Sequence, residues 1–205
     1  MNIHDWYHAL RYRIVHHPHK LHIRHPDLIK GRWYDKDYIL LYANFQILTD
    51  FVELEIPLFS RWCGIGEKWE LRLGKIPFVR WFLETRRNPA EGIAHLEWAS
   101  KLDDPEQEHP MPSQAHHARE HLALYRWWKE ERPARPDPWE SITERPEIPL
   151  NKLLNDTDAL TPEQRVQKEQ YFEALRKADE IEESYMEEDT QQLIRLIKVR
   201  RGLWT

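Results

Sequence analysis

A chain of 205 residues, 40% hydrophobic and 32% charged, has the make-up of a soluble globular protein, one domain by default with room for two. Its formal charge of −5 argues against general affinity for nucleic acid, and its single cysteine, Cys63, excludes an intramolecular disulfide and a cysteine-based zinc site. Six Gly are too few for a glycine-rich β-barrel, while ten Trp, eight Tyr and six Phe can build a large core from few positions. No apolar run reaches 18 residues, and His4, Asp5 and His8 stand where a secretion signal would be apolar, so we expect neither a membrane span nor export. With the lone cysteine, this points to a reducing, intracellular setting.

Residues 3–15 place Ile3, Trp6, Leu10 and Ile14 on one helical face. His16-His-Pro-His19 then breaks the helix, and Leu21 and Ile23 alternate with polar residues as in a short strand. Seven of the twelve histidines fall between His4 and His25. His4 and His8 are one turn apart and could share a metal. A surface that gains charge as pH falls has the same composition. Residues 1–34 carry six Arg/Lys against two Asp, interleaved with Trp6, Tyr7, Tyr12, Trp33 and Tyr34. Stacking platforms among phosphate-binding cations look like this, and so does an ordinary protein interface.

Lys36–Glu55 is the longest apolar-periodic run. Tyr38, Leu41, Phe45, Leu48 and Val52 recur at steps of three and four, and Ile39, Tyr42, Ile47 and Phe51 widen the stripe. The spacing predicts a core helix, capped by Asp35 or Asp37 and stopped by Pro57. Asp50 and Glu53 are three apart and can reach one point beside it. That pattern suits a solvated edge, a metal or a buried arginine. Residues 56–74 are the least helical: Trp69, Leu71 and Leu73 alternate with Glu70 and Arg72, and Pro57–Trp62 could pair with them as a small hairpin.

Residues 77–87 read as a turn or two of helix. Residues 89–102 read as a full helix with Pro89 in its first turn and a face of Ile93, Leu96 and Trp98/Ala99. Residues 112–131 read as another, capped by Ser113, with Ala118, Leu122, Tyr125 and Trp128 or Lys129 inward. His117 and His121 are one turn apart beside Glu120. Such a pair can hold zinc or iron, although the order His-Glu-x-x-His is absent. Asp50, Glu53, His95, Glu120 and His121 are therefore the candidate ligands for a divalent metal. Hydrogen-bonded structural histidines are the plainer account, and we expect no cofactor.

Arg132 to Pro149 is a proline-rich connector that favours extended backbone, either a strap across the bundle or a peptide offered to a partner. Trp139 is its expected anchor. Residues 161–201 are the best-signalled helix, opened by the capping box Thr161-Pro-Glu-Gln164 and stopped by Gly202, with a bend or break at Met186–Gln192 and Asp189 recapping. Its charges segregate: residues 161–190 hold ten acids and four bases, whereas Arg195, Lys198, Arg200 and Arg201 follow with no acid. Bases suit a helix C-terminus, and they also make a basic tip.

The fold expected is mainly α: a helical bundle with a long C-terminal helix and room for one small β-hairpin. Its parts are a helical core at 1–131, a connector at 132–160 and the C-terminal helix at 161–205, one domain overall. Several stretches, namely Arg32-Trp-Tyr-Asp-Lys-Asp37 running into Leu41–Glu53, Gly92-Ile-Ala-His-Leu-Glu-Trp98, Tyr125-Arg-Trp-Trp128 with Arg132-Pro and Arg135-Pro-Asp-Pro-Trp139, and the ending Leu193–Thr205, resemble a family of uncharacterised tailed-bacteriophage proteins. The resemblance covers most of the chain past residue 31. It implies a viral protein made in the host bacterial cytoplasm, and it assigns no activity, cofactor or catalytic residue.

Three readings of function follow. The first is an accessory protein that binds a protein partner, itself included, or a small ligand, without chemistry of its own. The second is nucleic-acid association through the basic, aromatic N-terminal region, with Trp6, Arg11, Arg13 and Trp33, and the tip Lys198, Arg200 and Arg201, whereas a protein interface under the first would rest on Trp6, Trp33 and Trp139. The third is a metal-dependent helical-bundle enzyme. A virion structural component is a further alternative, since the sequence does not separate an assembled part from a takeover protein.

Overall fold

The computed structural model describes Leu28, residues 32–62 (61 and 62 by backbone only), Ile76, Phe78, residues 86–106 and 108–140, Ile142, Ile148 and residues 160–203. These residues are mainly helical, with a long C-terminal helix and no strand among them. Contacts divide the chain into two units, Met1–Glu131 with Gln192–Thr205, and Arg132–Gln191. The expected helix at 3–15, the strand near Leu21, the second hairpin arm at 69–73 and most of 77–87 lie outside the described residues.

In the first unit, α1 (Lys36–Asp50) buries Leu41, Tyr42, Phe45, Leu48 and Thr49, an i, i+1, i+4, i+7, i+8 stripe. Ile39 and Ile47, expected to widen it, are exposed because they fall beyond its edges. Asp35 is the N-cap residue, but its carboxylate makes no cap hydrogen bond.

Helix does not stop at Pro57. A π-helical turn (Phe51–Glu55) leads into α2 (Ile56–Trp62), so Pro57–Trp62, expected as a strand, is helical. The π turn accommodates the proline. The Ile56 N–H donates to Phe51 O, five residues back, which leaves Val52 O without its usual donor. Proline has no N–H for Glu53 O. Glu53 O finds a donor at the head of the next helix, α3 (Pro89–Ala99), which also lies close over Val52 O. The Asn88 N–H donates to Glu53 O at 2.8 Å. Gly92 lies so close to Val52 that a Cβ there would stand 1.9 Å from Val52 O. Asn88 also caps α3: its Oδ1 accepts from Glu91 N at 3.3 Å, and its Nδ2 donates to Glu91 Oε2 at 2.9 Å. Leu96 and Ala99 point inward as expected, but Trp98 is exposed.

The fourth helix, α4 (Pro112–Arg126), starts from N-cap Met111 with Pro112 at its head, so Ser113 is already inside the first turn and does not cap. It buries Ala115, Ala118, His121, Leu124 and Tyr125. A second π turn (Trp127–Glu131) follows. An i→i+5 turn rotates less per residue than an α turn, so two consecutive tryptophans can both face the core. Phe45 stacks on Trp128 at 4.6 Å and tilts against Trp127 at 5.2 Å, while Tyr42 meets Trp128 edge-on at 5.0 Å. Burying each ring contributes on the order of 4–6 kcal/mol, from about 150–250 Å² at roughly 25 cal/mol per Å².

The long helix α5 (Pro162–Val199) is continuous through Met186–Gln192. Its capping box forms as expected: Thr161 N donates to Gln164 Oε1 at 3.1 Å, and Gln164 N to Thr161 Oγ1 at 3.3 Å. Leu196 and Val199 join the first unit's core, and a 3-10 turn (Arg200–Gly202) ends the helix.

In the second unit, the start of the proline-rich connector lies antiparallel along α5. Arg132 and Arg135 both bond Asp189, and Arg135 also bonds Glu188. Tyr185 donates to Pro136 O at 3.3 Å, and Arg135 sits 4.9 Å over the Tyr185 ring. Trp139, the expected anchor, is partly exposed and donates its indole N–H to Glu182 at 3.2 Å. The two arginines hold the strap, and Asp189 serves as their acceptor rather than recapping the helix.

Candidate binding cleft

The residues singled out for a metal do not converge. Asp50 and Glu53 do reach one point, and the Arg87 guanidinium occupies it, with Nη2 on Asp50 Oδ1 and Nη1 on Glu53 Oε2 at 2.8 Å. Glu53 is buried, and its other oxygen accepts from Lys129 at 3.0 Å and from the Tyr125 hydroxyl at 3.0 Å. Burial alone would raise the Glu53 carboxyl, but Arg87, Lys129 and Tyr125 outweigh it and hold it below the usual carboxylate range. Burial and the Glu53 charge raise the Tyr125 hydroxyl. This cluster ties α1, the segment before α3, and α4 together, and every oxygen of its buried carboxylate is engaged.

Glu120 instead pairs with Arg195 of α5 at 3.0 Å. His121 is buried, with Nε2 3.2 Å from Val199 O. That carbonyl is one of the orphan acceptors at a helix C-terminus, so the histidine closes α5 onto α4. Burial pushes the His121 pKa down to about 4, against a weaker upward pull from Val199 O, so the ring is neutral at pH 7. Among the described residues no group of three or more His, Cys, Asp and Glu side chains is arranged to hold a metal ion.

The histidines meet elsewhere. His95, His109, His117 and His121 all line a half-open cleft of about 1340 Å³ in the first unit. One wall is α3, with Glu91, His95, Trp98 and Ala99. The opposite wall is one face of α4, running from Pro112 through Ser113, Gln114, His117 and Ala118 to His121. Phe51, Ile56 and Ser60, from the π turn and α2, form the floor, and the exposed Phe59 of α2 stands at its edge. The π turn therefore does two things: it seats α3, and it sets the angle at which α2 presents Phe59.

At one end Leu102, His109 and Met111 border the cleft, with Met111 N donating to Leu102 O at 2.6 Å. At the other end stand Arg201 and Gly202. Gly202 has no left-handed backbone to explain it. A Cβ there would lie 2.8 Å from the His117 side chain and 2.9 Å from His121, so glycine lets the tip close against the histidine pair. His117 and His121 stack with ring centroids 6.2 Å apart. Burial also lowers the His95 pKa.

Trp98, Phe59 and Met111 are exposed on this cleft, Trp98 at 59%. The sequence pattern missed this, because Trp98 lies at the edge of a helical face that its neighbours Leu96 and Ala99 bury.

Of the candidate binding residues, Trp33 is 83% exposed. Lys198, Arg200 and Arg201 are exposed on the tip and make no ion pair among the described residues. Trp6, Arg11 and Arg13 lie outside the described residues. No described helix is long and apolar enough to cross a membrane. No family model, curated protein or solved structure matches this chain.

Proposed function

We propose that this chain is a non-catalytic binding protein, a phage accessory protein of the host cytoplasm, and that it receives a protein partner in the cleft between α3 and α4. The observation that supports this is the cleft's size together with its rim. Small-molecule sites usually enclose about 300–1,000 Å³. This one is larger, at about 1340 Å³, half-open, and edged by the exposed apolar side chains of Trp98, Phe59 and Met111. A surface with an exposed aromatic anchor and apolar neighbours is the kind that a partner's side chains cover. A partner that is itself a virion part fits the same reading.

The test is a photo-crosslinking amino acid in place of Trp98, with the chain expressed in infected bacteria and the adducts identified by mass spectrometry. One discrete adduct, competed by unlabelled chain and lost in Phe59→Asp, is the expected result. Crosslinks only to bulk abundant proteins, unchanged by Phe59→Asp, refute the reading.

A nucleic-acid role has its own support in Trp33 and the exposed cations Lys198, Arg200 and Arg201. It predicts retention of DNA or RNA that weakens steeply with salt, with a slope set by the number of phosphates contacted. Binding through the apolar cleft does not.

A further inference from the structure

We propose that a chain of aromatic rings, running from Trp127 and Trp128 through Tyr42 and Tyr38 to Tyr34, carries one-electron oxidation out of the core. An oxidising event at the buried tryptophans then ends on a half-exposed tyrosine. This activity is independent of the binding cleft, and all five residues belong to the first unit.

The spacing and the hydroxyls carry the inference. Ring centroids lie 6.2 Å apart between Trp127 and Trp128, 5.0 Å between Trp128 and Tyr42, 4.6 Å between Tyr42 and Tyr38, and 5.9 Å between Tyr38 and Tyr34. Every hop is thus between rings in contact. Electron transfer falls off exponentially with distance, so short hops outrun one long jump. Exposure rises along the chain: Trp127, Trp128 and Tyr42 are buried, whereas Tyr38 and Tyr34 are half-buried. Phe45 packs on both tryptophans but is too hard to oxidise to take part. Packing alone would be met by phenylalanine at 38 and 42. What phenylalanine lacks is the pair of hydroxyls, and these bond each other at 2.9 Å.

That bond matters because an oxidised phenol must shed its proton. A one-electron oxidant takes an electron from Trp128 and leaves an indole radical cation. Tyr42 supplies an electron and restores the indole. The Tyr42 proton passes along the hydrogen bond to the Tyr38 oxygen, which releases its own to water. In the next hop the shared proton returns to Tyr42 with an electron from Tyr38, so Tyr42 is whole and Tyr38 is a neutral phenoxyl radical. Tyr34, stacked on Tyr38, passes it an electron and gives a proton to water, and Tyr38 regains one from water. The net change is one electron on the oxidant, one proton in water and a phenoxyl radical on Tyr34. A tyrosine that can shed its proton is easier to oxidise than tryptophan at neutral pH, which sets the direction.

The experiment uses the full chain with Trp33→Phe, so that the exposed neighbour of Tyr34 cannot oxidise it directly. Light absorbed by tryptophan ejects an electron, which cobalt(III) pentaammine chloride captures irreversibly. The radical trap 2-methyl-2-nitrosopropane marks exposed tyrosyl radicals, and peptide mass spectrometry locates the adducts and any kynurenine. The expected result is adduct at Tyr34 with Trp127 and Trp128 largely intact. Tyr42→Phe and Tyr38→Phe each keep the ring and remove the hydroxyl. In either one, folded by circular dichroism, adduct at Tyr34 should fall several-fold while kynurenine at Trp127 and Trp128 rises. Tyr34→Phe should move the adduct to Tyr38. Adduct and kynurenine unchanged in both hydroxyl variants, or oxidation that stays on Trp127 and Trp128 before either change is made, overturns the proposal.

Discussion

Replacing Gly92 by alanine should destabilise the protein, although alanine is the better helix former. In an exposed helix interior the exchange gains about 1 kcal/mol. Here the new methyl would stand 1.9 Å from Val52 O and 2.8 Å from Val52 C. A carbon normally approaches a carbonyl oxygen to about 3.3 Å, so α3 must retreat by more than an ångström. Overpacking of this kind costs about 1–3 kcal/mol. The retreat also stretches the Asn88 N–Glu53 O hydrogen bond, now 2.8 Å, which serves a carbonyl that Pro57 cannot. Losing it adds about 1 kcal/mol. The net expectation is a loss of about 2 kcal/mol, or roughly 4–8 °C in Tm for a chain of this size. Urea unfolding followed by far-UV circular dichroism measures it. Ala94→Gly, exposed on the same helix, serves as the propensity control and should lose about 1 kcal/mol. If Gly92→Ala is stabilising by the amount propensity alone predicts, the close approach of α3 to the π turn is wrong.

Glu53→Gln should cost about 2 kcal/mol, less than the usual loss for breaking a buried pair because Arg87 and Lys129 are partly exposed. Because the folded Glu53 carboxyl sits below its ordinary value of 4.5, its contribution is complete above that pH and is lost as pH falls through the lowered value. Acid titration of denaturant midpoints should show that loss in the wild type and not in Glu53→Gln. His121 works in the neighbouring window. The unfolded ring takes up a proton near 6.5 and the folded one only near 4, so stability is full above 6.5 and drains by about 3 kcal/mol on the way down to 4. His121→Gln should flatten that stretch of the same titration. In the strap, Asp189→Asn removes the charge that Arg132 and Arg135 share, and amide exchange at Arg135 and Glu140 should quicken at least tenfold. Unchanged exchange there refutes the two-arginine clamp.

What could be read in the sequence was local. The stripe from Leu41 to Val52, the Thr161–Gln164 capping box and proline at the head of α3 each follow from neighbouring residues, and each is in place. What could not be read depends on partners far along the chain. Asp50 and Glu53 were legible as a pair, but their answering Arg87 is 37 and 34 residues on. His121 looked like half of a metal pair because nothing nearby announces that Val199, 78 residues later, brings it a carbonyl. Pro57 is a stop signal in an α-helix, and only a π turn with α3 laid against it turns it into a passenger. The helical spacing leaves Trp98 and Ala99 as alternatives for the buried face; Ala99 takes it and Trp98 is exposed, because whether a face is covered is settled by what packs there.

The π turn at Phe51–Glu55 also has a genetic meaning. A π turn is an α-helix carrying one surplus residue, so its history and its future are written in single codons. Deleting one residue there restores the α register with the downstream face nearly where it was, because the wide turn takes up one extra residue in place of a single α turn. Pro57 would then butt against an ordinary helical carbonyl, and the seat for Gly92 at Val52 O would close. The seat that Gly92 occupies thus hangs on a residue count as well as on a side chain.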